Sequence, residues 1–322
     1  MKAKRVCLIF FSFLLLIPLV SFAGFEENFE DNNFSSRGWY DNINPVLSSV
    51  EAVSGSTSSA EFRFPVGATR PINGGAMRRK FTESDSVYLS YWVKYSSNWQ
   101  GSNRSYHPHE FYILTNKSSD WSGLANTHLT AYIEQNEGVP LIGMQDGLNI
   151  DQSRIGHDLT EITESRAVAG CNGDSDGLGE SHCYYAGSGY MNWKQFKAKQ
   201  VYFSDEPGPF YKNNWHKVEV YLKLNSIGNG KAIADGIIQY WFDGDSIIDY
   251  NKVVFRTGQH ADMKFKQFII APWIGDGSPV DQTFWVDNLV LSTDLTKTTL
   301  PDSLAPPSNL RIIVSIRKYL TG

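Results

Sequence analysis

Residues 215–244, WHKVEVYLKLNSIGNGKAIADGIIQYWFDG, hold two runs in which apolar side chains recur at every second position. In the first, Val218, Val220, Leu222 and Leu224 fall on one side, and Lys217, Glu219, Tyr221 and Lys223 on the other. In the second, Ile238, Tyr240 and Phe242 oppose Ile237, Gln239 and Trp241, and Asp243-Gly244 supplies the next turn. A period of two means a strand with one face in a core. The Gly-rich connection between the runs makes them neighbours in one sheet.

Working outward, the same alternation marks residues 60–64, 76–81, 86–95 and 110–116 as strands. It continues at 128–136, 140–147, 253–257, 263–275 and 283–293. No stretch carries a long stripe at helical spacing, and no motif repeats at a solenoid or propeller period. Residues 151–214 break the pattern: a short helix is expected at 159–169 within a long insertion rich in Gly, Ser and aromatic residues. The expected fold is all-β, a two-sheet antiparallel jelly-roll sandwich interrupted by that insertion.

The start of the chain reads as a targeting segment. Lys2, Lys4 and Arg5 precede an apolar run from Val6 to Val20, and Ser21-Phe22-Ala23 offers small residues where a signal peptidase cuts. The organisation is therefore a signal peptide at 1–23, a sandwich domain at 24–297 and a Pro-rich linker or tail at 298–322. The expected location is secreted or periplasmic, with no membrane span after cleavage. With 29 Lys and Arg against 34 Asp and Glu, the chain is acidic, and losing the basic segment makes it more so. Such a balance argues against nucleic acid as a partner, because phosphate binding needs cations in excess.

Beyond Cys7, the chain has Cys171 and Cys183. In an oxidising compartment they are expected to form a disulfide closing the insertion, worth about 3 kcal/mol in the chain-entropy model. Between them, Asn172, Asp174 and Asp176 stand at alternate positions before Gly177. This is how a calcium loop begins, with Glu180 available to complete it. Cys183 occupies the place of the usual distal Glu, so a plain acidic turn is the competing reading.

Five segments carry a family likeness: YLSYWVKYSSNW; NNWHKVEVYLKLN followed by DGIIQYWFDG; and APWIGDGSP followed by FWVDNLVL. Together they resemble the concanavalin A-like lectin and glucanase superfamily. Within it they are most similar to the jelly-roll polysaccharide lyases that act on alginate and glucuronan. The resemblance implies a curved sheet whose concave face binds an extended glycan. It does not extend to catalytic motifs. Glu83 and Asp85 start the Glu-x-Asp pattern of the glucanases, but Val87 and Tyr88 follow. The Arg-x-Glu-x-Arg and Gln-Ile-His signatures of one alginate lyase group are absent.

Elimination at a uronate requires a base, an acid for the leaving oxygen and a group that neutralises the carboxylate. The best cluster for this is Arg104, His109, His128 and Tyr132, with His107, Glu110 and Tyr112 beside them and Glu134 on the face of Tyr132. Trp92, Lys94, Glu219, Tyr221, Gln239, Trp241 and Gln267 could line a glycan groove, or equally a convex solvated face, since periodicity does not say which polar face is hollow. Two functions remain open: a polysaccharide-binding protein that cleaves uronate glycans, and a non-catalytic lectin-like or surface-interaction module.

Overall fold

The computed structural model describes residues 23–103, 108–123, 127–145, 181–182 and 193–294. The N-terminal segment before Ala23, the tail beyond Asp294 and the expected helix at 159–169 lie outside these residues, as do Cys171 and Cys183.

In chain order the strands are β1 (Gly24–Glu27), β2 (Trp39–Asp41), β3 (Val46–Ser48), β4 (Ser59–Phe64), β5 (Met77–Ser84) and β6 (Ser86–Tyr95). Then come β7 (His109–Thr115), β8 (Thr130–Asn136), β9 (Val139–Gln145), β10 (Ser181–His182), β11 (Trp193–Lys197) and β12 (His216–Lys223). The last are β13 (Ile227–Gly228), β14 (Lys231–Ala232), β15 (Gly236–Phe242), β16 (Asp245–Val253), β17 (Phe265–Trp273) and β18 (Gln282–Ser292). All but the small β13–β14 hairpin join two antiparallel sheets. The first runs β16-β15-β12-β6-β18-β4-β3, with β1 also on β18; the second runs β10-β11-β9-β8-β7-β17-β5-β2.

The opening stretch behaves as its pattern predicts. β12 and β15 pair with Val220 opposite Tyr240 and Leu222 opposite Ile238, and all four side chains are buried. Between the two sheets lies one apolar core, in which Tyr91 of β6 meets Phe111 of β7 with ring centroids 4.7 Å apart. Phe25 of β1 likewise reaches across to Trp39 and Phe268 of the second sheet.

Register is set by tight turns. Glu137-Gly138 and Asp243-Gly244 both have positive φ at their two central positions, as the type I′ hairpin turn requires. The first joins β8 to β9 and fixes Asn136 opposite Val139, so that Tyr132 faces Gly143. A side chain at position 138 would also collide with the Phe203 carbonyl, 2.4 Å from its Cβ, so only Gly fits.

Two expectations need correction. The strand expected at 253–257 lies instead at Asp245–Val253, immediately after the Asp243-Gly244 turn. The following Val254, Phe255, Arg256 and Thr257 are buried but outside the sheets, which is why they read as a strand. Their backbone is satisfied by a side chain: Asn225 Oδ1 accepts from the Phe255 and Arg256 N–H groups at 2.8 and 2.9 Å. The insertion is also shorter than expected. Residues 193–197 are a strand of the second sheet, paired along β9.

Candidate functional site

The outward face of the second sheet is laid out by its register. One line of opposed residues crosses six strands: Gly143, Tyr132, Tyr112, Ile269, Arg78 and Tyr40. At the usual inter-strand spacing it is about 24 Å long. A parallel line runs Gln145, Thr130, Leu114, Gln267 and Lys80. Tyr112, Leu114, Tyr132 and Ile269 form a separate buried apolar cluster at the centre, flanked by polar groups on both sides.

His109 enters this face through an irregularity. The pairing of β7 with β17 shifts register between Ile270 and Trp273, and alternation on β7 fails there. Phe111 and Glu110 both turn inward: Phe111 packs on Tyr91 and Phe268, and Glu110 Oε1 accepts from Tyr95 Oη at 2.7 Å. His109 turns outward, and its ring lies 4.9 Å from that of Tyr132 and 6.0 Å from that of Tyr112.

Nδ1 of His109 lies 2.6 Å from Glu134 Oε2. A carboxylate on Nδ1 draws the proton to that nitrogen and makes Nε2 the one that exchanges protons. Tyr132 Oη donates to Gln145 Oε1, reaching diagonally past Gly143, which has no side chain to intervene. Behind them, burial raises the Glu110 carboxyl to about 8, helped by the nearby Glu134 charge and opposed by the Tyr95 hydrogen bond. Burial also holds the Tyr112 hydroxyl protonated well above the usual range, and it donates to the Ala271 carbonyl at 3.1 Å.

Toward β2, Arg78 bonds Asp41 at 2.8 Å, Gln267 Oε1 at 3.3 Å and the Ser122 carbonyl at 3.1 Å. Gln267 in turn donates to Tyr40 Oη and to the Asp120 carbonyl.

Among solved structures, the PL-14 alginate lyase of the marine Aplysia kurodai is similar over 84% of this chain and 98% of its own, with a TM-score of 0.51 and 12% identity. The fold is similar to that of this jelly-roll lyase. The alginate lyase vAL-1 from Chlorella virus matches over 77% of this chain and 89% of its own, at a TM-score of 0.47 and 12% identity. An Aly36B alginate lyase variant in complex with alginate tetrasaccharide matches over 84% and 96%, at 0.44 and 14%. At such identities the likeness speaks of the fold alone. No protein-family model matches the sequence, and no curated protein does.

On this jelly-roll lyase frame the residues singled out from the sequence fall into four places. His109, Tyr112, Tyr132 and Glu134 gather on the outward face of the second sheet, with Gln267 farther along it. Glu110 belongs to the interior behind them. His128 is at the opposite end of β7 from His109, its carbonyl bonded by Thr115 Oγ1 and its ring 4.9 Å from that of His260. Burial, His260 and Lys117 lower it to about 4.

Trp92, Lys94, Glu219, Tyr221, Gln239 and Trp241 sit on the outward face of the first sheet, across the core from His109. There the polar groups are tied locally: Lys94 to Glu51 at 2.6 Å, Glu219 to Tyr88 Oη at 2.6 Å and Gln239 to Asp249 at 3.0 Å. Arg104, His107, Asn172, Asp174, Asp176 and Glu180 lie outside the described residues. Among the described residues, no group of three or more His, Cys, Asp or Glu is placed to hold a metal. Nor is any helix among them long and apolar enough to cross a membrane.

Sequence reasoning missed Gln145, Arg78 and Tyr40. Gln145 was within reach: taking Glu137-Gly138 as the hairpin turn puts Gly143 opposite Tyr132 and Gln145 diagonal to it.

Proposed function

We propose that the protein is an exported carbohydrate-active enzyme that binds an extended uronate polysaccharide along the outward face of the second sheet and cleaves it by β-elimination. The observation that carries this reading is the Glu134–His109–Tyr132 constellation, set near the β9 end of a line of polar and aromatic side chains on a lyase-like frame.

The chemistry follows from the two side chains. His109 Nε2 takes the proton next to the uronate carboxylate, breaking that C–H bond. The electron pair becomes a carbon–carbon double bond and expels the glycosidic oxygen, which receives the Tyr132 hydroxyl proton. Glu134 orients His109 and offsets the imidazolium that forms, and Gln145 holds the tyrosine hydroxyl. Arg104, shortly before His109 in the chain, is the guanidinium assigned to the carboxylate.

Incubation with alginate and glucuronan should produce the ultraviolet absorbance of an unsaturated uronate end, and its absence with every uronate polymer rejects the cleavage step. A second reading, glycan binding without cleavage, asks only for the aromatic rings and hydrogen-bonding groups gathered around His109 on the same face. Retention on a glycan array without new absorbance would select it. Export is checked by N-terminal sequencing of protein recovered outside the cytoplasm, which should begin near Gly24.

A further inference from the structure

Trp121 is the most exposed aromatic side chain in the described core region, with 65% of its surface accessible, yet the turn that carries it is fastened on every side. The Asp120 carbonyl accepts from Tyr40 Oη at 3.1 Å and from Gln267 Nε2 at 3.0 Å. Asp120 Oδ2 takes the Lys80 ammonium at 2.8 Å, and that bond lowers its carboxyl below the usual range. The Ser122 carbonyl accepts from Arg78 at 3.1 Å, and the Ser122 N–H closes onto the Ser119 carbonyl at 3.1 Å.

The Trp121 ring itself is propped edge-on against Tyr40, with centroids 5.1 Å apart and planes at 75°. A mobile surface tryptophan needs none of this. A turn anchored to three strands that still leaves its indole in water is a presented surface.

Its position gives it a purpose. Tyr40 ends the line of side chains that begins at Gly143 and passes through Tyr132, four strands away, or about 19 Å. Trp121 adds a second aromatic ring against Tyr40 at that end. The surround is charged, with the Lys80 and Lys266 ammonium groups 2.8 and 3.9 Å from the Asp120 carboxylate. A single flat apolar ring within a charged rim does not suit a protein hot spot, which needs a desolvated apolar centre. It suits a sugar, with its apolar ring face and polar edge, and the two ammonium groups suit a sugar that carries a carboxylate.

We propose that Trp121, backed by Tyr40, is a distal sugar-binding platform that takes a uronate ring of the same polysaccharide several residues from the site of cleavage. The proposal rests on the functional reading above and adds to it a dependence on chain length. Short oligomers that occupy only the His109–Tyr132 centre should ignore Trp121, and long ones should require it.

The test measures binding of alginate oligosaccharides, from trimers to decamers, to wild type, Trp121→Ala and Trp121→Phe by titration calorimetry. Affinity in the wild type should rise with length. Trp121→Ala should lose about tenfold for the longer oligomers only, a step the size of one stacked ring, and Trp121→Phe should recover part of it. Equal affinity of wild type and Trp121→Ala at every length rejects the platform and leaves the central site standing. Failure of the wild type to bind any uronate oligomer removes the functional reading and the platform with it.

Discussion

Glu110 brings a carboxyl group into an apolar interior where its one described donor is the hydroxyl of Tyr95. Raised from 4.5 to about 8, it holds a proton in the folded protein that it surrenders when the chain unfolds. Its contribution is intact below about pH 4.5 and is lost as pH climbs toward 8. Glu110→Gln keeps an acceptor for Tyr95 and cannot ionise. The variant should gain on the order of 4 kcal/mol over wild type at pH 8 and little at pH 4.5, read from urea unfolding at both. An identical difference at the two pH values would contradict a buried neutral acid. On the outward face of the same sheet, His109→Ala and Tyr132→Phe should each lower kcat at least about a hundredfold. Glu134→Gln should lower kcat with little change in KM, since it orients the base and is not a binding group. Steady-state kinetics on the polymer that wild type cleaves separates these outcomes. Tyr112 and Tyr132 stood out in the sequence because strand alternation put them on polar faces, and His109 because it ends a His-rich connection just before one of those strands. That His109 joins Tyr132 and His128 does not was invisible, because it depends on a register shift at Ile270–Trp273 that leaves no local mark.

Strands whose apolar residues recur at every second position announced themselves, and those without that pattern did not. Residues 86–95 and 215–244 supply strands that pair side by side in the first sheet, and their boundaries were readable. β16 was not. Its exposed positions outnumber its buried ones, so SIIDYNKV lacks the alternation that a half-buried strand shows. Its neighbour VFRT, wholly buried, took the strand-like pattern instead, and the side chain of Asn225 satisfies two backbone N–H groups of that non-strand segment. Asn225→Ala orphans two buried N–H groups and should cost about 2–4 kcal/mol. Chemical denaturation measures this, and a cost under about 0.5 kcal/mol would show that other groups satisfy that segment. β11 was hidden for a different reason: it is five residues long and lies at the margin of a stretch with no periodic signal.

The two sheets are joined by side chains that belong to one and pack in the other. Phe25, on β1 of the first sheet, lies against Trp39 and Phe268 of the second, and Arg79 covers its ring at 4.0 Å. Glu27 beside it accepts from Arg37 and from the Trp39 indole at 2.8 Å. Phe25→Ala should therefore act on the molecule as a unit, costing about 3–5 kcal/mol and lowering the melting temperature by on the order of 10 °C in one cooperative transition. Two separate transitions would mean that the sheets unfold independently. β1 also has a neighbour from the far end of the sequence, with Phe25 opposite Leu291 and Glu27 opposite Leu289. During translation the segment at 24–27 emerges early and must wait for residues 289–292 before it has its hydrogen-bonding partner. Closure of the first sheet is thus a late event, slow because the loop it seals runs from residue 27 to residue 289. A polypeptide with that built-in delay stays threadable until its last strand is made.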